Sequence, residues 1–109
     1  MFHVMFHDVG INSTICEAIK YRVRLRCEYG DDEEIRIIEL QCHGITNKLS
    51  EVVRIIEIYP GDQAGEPIEG KLFTVSKMAD LKKTEEKFLK PGRHYNPKDK
   101  AMKYVHCHL

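Results

Sequence analysis

"YRVRLRCEYGDDEEIRIIEL", residues 21–40, is the stretch whose conformation decides the fold. Tyr21, Val23, Leu25, Cys27 and Tyr29 alternate with Arg22, Arg24, Arg26 and Glu28, the two-residue period of a half-buried strand. A turn at "GDD" would then pair that strand with "EEIRIIEL" as a hairpin. A second pattern overlaps the first. Ile15, Ile19, Val23 and Cys27 recur every four residues and Gly30 is a good stop, which describes a helix over 14–29. The helix is the preferred reading and the hairpin its close alternative.

Upstream, "MFHVMFHDVG" places Phe2, Val4 and Phe6 in alternation with His3, Met5 and His7, so a first strand is expected, with Asp8 at its core-facing end. Asn12, Ser13 or Thr14 then caps the following helix. Downstream, the β-branched run "EEIRIIELQC" predicts a buried strand over 34–42. Ile45, Leu49, Val52, Ile56 and Tyr59 mark one face of a second helix that Pro60 and Gly61 end. "GDQAGEP" (61–67) is a loop and "EGKLFTVSK" (69–77) a third strand. Residues 78–100 read as a lysine-rich arm with at most a short helix at 79–89, and 101–109 as a C-terminal strand. The whole, 1–109, is a single domain whose core occupies 1–77. Its order, β-α-β-α-β-β or β-α-β-β-α-β-β, implies an α+β fold with two helices on one face of a small mixed or antiparallel sheet. The other face, carrying His3, Met5 and His7, needs a cover, and a homodimer is one way to supply it.

At 109 residues the chain suits one core, and no segment is long and apolar enough to span a bilayer. The first residues lack the features of a secretory signal, so a cytoplasmic protein is expected. Cys16, Cys27, Cys42 and Cys107 form no C-x-x-C pair and are expected as reduced, mostly buried thiols. Zero net charge conceals a split: residues 1–70 hold 7 basic and 13 acidic side chains, residues 71–109 hold 10 and 4, giving −6 and +6. Such a split can put a basic, polyanion-facing surface on a neutral protein.

"HVMFHDV", a helix closing on "RCEYG", a strand ending in cysteine, the helix "ITNKLSEVVRIIEI" and acidic "PGDQ" together resemble the small CRISPR-associated adaptation protein and the similar virulence-associated protein D. The likeness covers residues 1–77. It implies a ferredoxin-like two-layer sandwich, a homodimer, and either a DNA-binding scaffold or a divalent-metal-dependent nuclease in which Asp8 meets its symmetry mate. The sequence departs from that pattern: "VGINST" lacks the basic residues usual after the aspartate, and Arg36 and Ile38 replace the family's Gln and Ser. A second likeness is to the Alba chromatin proteins, because Ile38, Leu40, Cys42 and Gly44 share their strand spacing; it implies non-catalytic binding of DNA or RNA.

Mg²⁺ needs carboxylate oxygens brought close together, and one aspartate from each of two copies would provide them. Asp8 is accordingly the candidate catalytic and metal-binding residue, with helix capping as its competing structural role. "DDEE" (31–34) reads as a solvated turn. On a strand His3 and His7 lie roughly 13 Å apart and cannot share an ion. Cys42-His43 and His106-Cys107-His108 meet if the final strand pairs with the second, but only alternate residues then share a face. For phosphate contacts the candidates are Arg22, Arg24 and Arg26 with Lys82, Lys83, Lys87, Lys90, Arg93, Lys98 and Lys100, while Tyr95 and Tyr104 are available to stack on bases. If residues 21–29 are a strand, the three arginines form one basic row. The expected function is engagement of DNA or RNA, with or without cleavage. The alternative is a protein-binding module such as a phage-type inhibitor of a host complex.

Overall fold

A computed structural model describes residues 2–58 and 67–109, with side chains for 11–31, 34–58 and 67–109. The expected loop at 61–67 and the expected helix stop at Pro60-Gly61 lie almost wholly outside the described residues. The described chain opens with helix α1 (Phe2–Tyr21), followed by β1 (Val23–Tyr29), β2 (Asp32–Ile45), β3 (Glu51–Ile58) and β4 (Ile68–Thr74). A 3-10 turn, Val75–Lys77, leads to β5 (Met78–Lys87), and β6 (Tyr104–His108) comes after a long irregular stretch.

This is a mostly antiparallel sheet with one described helix, not a two-helix ferredoxin-like sandwich. Three elements account for the difference. The opening residues are helical, because the apolar set that packs is Ile11, Ile15, Ala18 and Ile19, spaced three and four apart. Residues 23–29 are the strand of the hairpin alternative, turned by Gly30 at φ 67°, a conformation that glycine adopts at little cost. Residues 51–58 are a strand and not a helix. Five of the eight are β-branched, and buried residues fall on both faces, so a fully enclosed strand mimics a helical stripe. Leu49, expected on that helical face, is 77% exposed in the β2–β3 turn, where the Thr46 carbonyl accepts its N–H at 2.9 Å. The expected short helix at 79–89 is likewise replaced by β5.

The sheet runs β4-β3-β2-β1-β5, and β6 also pairs with β2. β2 is long enough that β1 takes its first half (Leu25↔Ile38 to Tyr29↔Asp32) and β6 its last (Cys42↔His108 to Ile45↔Tyr104), while β3 runs along its other edge. Helix α1 covers the inner face, where Ile15, Ala18 and Ile19 meet Leu25, Ile38, Leu40, Val53 and Ile55. Tyr29 stacks on Phe73 at 3.8 Å and its hydroxyl accepts the Thr74 N–H. A bulge between Leu40 and Cys42 shifts the alternation, so Cys42 and Arg54 face outward and His43 and Val53 inward. The outward group forms a second cluster, Cys42, Val52 and Met102.

Residues 88–103 strap this outer cluster. The Gly92 N–H donates to Gln41 Oε1 at 2.8 Å, and the Lys103 N–H donates to the Ile45 carbonyl at 2.7 Å. Arg54 donates two hydrogen bonds to the Asp99 carboxylate, at 2.8 and 3.0 Å. Gly44 lets β6 approach, because a Cβ there would strike the Tyr104 carbonyl oxygen and the Met102 sulfur. No helix among the described residues is long and apolar enough to cross a membrane.

Candidate functional site

The alternation of β1 puts Leu25 and Cys27 in the core and Arg24 and Arg26 on the outer face. Arg22 is not part of that row: it lies before the strand at φ 54°, and its guanidinium donates to the Leu89 carbonyl. Arg24 is held between Glu39 and Glu86, both at 2.7 Å, so its charge is spent inside the molecule. Arg26 is exposed and has no ion-pair partner among the described residues. Directly across the strand pair stands Lys82, also exposed and only 3.8 Å from Asp80.

The other predicted cations separate. Lys83 sits opposite Leu25 and reaches Glu17 of α1 at 2.6 Å, on the helix side of the sheet. Lys87 and Lys90 line a groove of about 480 Å³ with Arg24, Ile56 and Phe88. Arg93, Lys98 and Lys100 lie along the strap, all three exposed. The Tyr95 hydroxyl donates to the Leu109 carbonyl at 2.6 Å and the residue is half-buried; Tyr104 is 62% exposed.

Asp8 falls inside α1, and its side chain lies outside the described residues. The strand end that was to carry it to a symmetry mate, with Mg²⁺ between them, is therefore replaced by helix. The same change removes the sheet face of His3, Met5 and His7 from which a homodimer was inferred.

A second constellation lies on the inner face. Cys16 of α1 and Cys107 of β6 form a disulfide, Cα to Cα 5.9 Å, contrary to the expectation of four reduced thiols. Cys27 and Cys42 are free and buried, and burial pushes each thiol up to about 11. His43, 1% exposed, sits opposite Cys107 in the β2–β6 ladder. Its Nδ1 lies 3.7 Å from Cys16 Sγ and 3.8 Å from Cys107 Sγ. Its Nε2 has no hydrogen-bond partner among the described residues, with Glu51 Oε2 at 3.7 Å. Burial holds the ring below the usual histidine range, and the nearby His106 adds to this while Glu51 opposes it.

The sequence anticipated that only alternate residues of the two strands would converge, and His43 with Cys107 are such a pair. Cys16 was missed because nothing in the spacing says that a helix residue 91 positions away will join them. The chain matches no family model, no curated protein and no solved structure.

Proposed function

We propose that this chain is a non-catalytic nucleic-acid-binding module that seats a single-stranded DNA or RNA backbone along the outer side of β1 and β5. The observation carrying this reading is the exposed cross-strand pair Arg26 and Lys82. Like charges placed directly opposite each other destabilise a sheet, and Asp80, 3.8 Å from Lys82, offsets only one of the two, so Arg26 is left for an anion from outside. Lys87 and Lys90 continue the track at the mouth of the groove. Helix α1 is packed on the opposite face, which favours contact with phosphates over insertion of a helix into a duplex groove.

The test is fluorescence anisotropy of labelled single strands between about 50 and 200 mM salt. The expected result is salt-sensitive binding whose log–log slope falls by about 1.4 in the double variant Arg26→Ala/Lys82→Ala, since each phosphate left without its cation removes about 0.7. Lys83→Ala, on the other side of the sheet, leaves the slope unchanged. An unchanged slope in the double variant, or no binding at the lowest salt, removes this reading.

A further inference from the structure

The ring of His43 is a buried group whose two nitrogens are poorly served. Nδ1 faces only sulfur, and Nε2 finds a carboxylate at 3.7 Å without a hydrogen bond. Buried polar atoms ordinarily find partners, so an arrangement of this kind calls for an explanation. A disulfide offers Nδ1 no donor and only weak acceptors. Two thiolates at the same positions offer something different, a set of three soft-to-borderline donors, Cys16 Sγ, Cys107 Sγ and His43 Nδ1, around one point.

We propose that reduction of Cys16–Cys107 converts this cluster into a binding site for a thiophilic divalent cation, Zn²⁺ above all, with Cys16, Cys107 and His43 as ligands. The geometry is close to what zinc requires. Zn–S of about 2.3 Å and Zn–N of about 2.0 Å in a tetrahedron put sulfur and nitrogen about 3.5 Å apart. The observed separations are 3.7 and 3.8 Å, so the histidine needs little movement once the sulfurs part. On the far side of the ring Glu51 occupies the place of the outer carboxylate that accepts the second N–H of a metal-bound histidine. A cavity of about 270 Å³ opens beside Cys16 and Cys107, giving a reductant, the ion and a water as fourth ligand a way in. The electrons come from a dithiol, which closes to its own cyclic disulfide while the protein S–S bond takes up two electrons and two protons. Binding of the cation then releases those two protons as the thiols become thiolates. His106, whose ring centroid is 5.0 Å from that of His43, lies toward Nε2 and belongs to a different grouping with Glu51.

The experiment uses the full chain, oxidised or reduced with dithiothreitol and desalted without air, then titrated with Co²⁺ and Zn²⁺. The reduced wild type is expected to bind one ion per chain, to show a thiolate-to-cobalt charge-transfer band, and to melt at a higher temperature with Zn²⁺ present. The oxidised protein shows neither the band nor the rise. Cys107→Ser abolishes the band, Glu51→Gln weakens binding roughly 10- to 100-fold, and His106→Ala leaves it unchanged. Equal binding by the oxidised form, binding without the thiolate band, loss of binding in His106→Ala, or no binding by the reduced chain each overturns the proposal. The comparison of oxidised with reduced wild type needs no variant to fold.

Discussion

Arg54 and Asp99 show how much one pair of residues organises the outer face. The guanidinium holds the Asp99 carboxylate below its ordinary range through two hydrogen bonds, and the Ala101 N–H, which donates to Oδ1 at 3.0 Å, lowers it further. The pair ties β3 to the strap, and Asp99 is 9% exposed. Asp99→Asn is expected to cost about 1 to 3 kcal/mol at neutral pH, as measured by urea unfolding. The sign with pH follows from the depressed carboxyl. Its stabilisation is present above the unfolded value of about 3.9 and is lost as pH falls through the lower folded value, so the gap between wild type and variant narrows in acid. The thiols give a second expectation. With Cys16 and Cys107 bonded and Cys27 and Cys42 buried with raised pKa, a native chain has no thiol reactive toward an aromatic disulfide reagent at pH 8, and the denatured chain has two. More than two in denaturant would mean that the disulfide is absent. At this scale the sequence was informative about residue type but not about partners. Asp99 falls in what the sequence presents as an irregular lysine-rich arm, and no local pattern links it to Arg54, 45 residues away.

At the scale of elements, the strands around β2 were the legible part. "EEIRIIELQC" and "AMKYVHCHL" are strands where expected, and "YRVRLRCEY" follows the hairpin alternative. The helices were misplaced for one physical reason. Short apolar runs satisfy both the two-residue and the four-residue period, and burial on both faces of β3 erases the alternation that would tell them apart. The preference for a helix over 14–29 joined the true helical spacing of Ile15 and Ile19 to strand residues Val23 and Cys27 that share it by coincidence. Gly44 tests the docking of β6. Gly44→Ala forces a methyl group against the Tyr104 carbonyl oxygen, and a loss of about 3 kcal/mol is expected. The matching observation is faster amide exchange in residues 104–108, and protection equal to wild type there would mean that β6 does not depend on this close approach.

Over the whole molecule, part of the charge split between the two halves of the sequence is used within the fold. Lys83 meets Glu17, Lys71 meets Glu57, and Arg24 meets Glu86, each joining the first 70 residues to the rest of the chain. Counting cations along the chain therefore overstates the free basic surface: Lys71 and Lys83 are paired and Lys82 lies 3.8 Å from Asp80, while Arg26, Arg93, Lys98 and Lys100 are exposed. The disulfide acts on the same global scale. It closes a loop of 91 residues, for which chain entropy gives roughly 4.6 kcal/mol of stabilisation, so Cys16→Ser/Cys107→Ser is expected to melt on the order of 20 °C lower by calorimetry. The long β2 strand, flanked by β1, β3 and β6, has one more implication. Synthesis proceeds from residue 1 upward, so residues 104–108 leave the ribosome after everything they must seal. Until they arrive, the stretch from Cys42 to Ile45 presents bare amides and carbonyls, and the nascent chain is most prone to join a neighbour's strand in that interval.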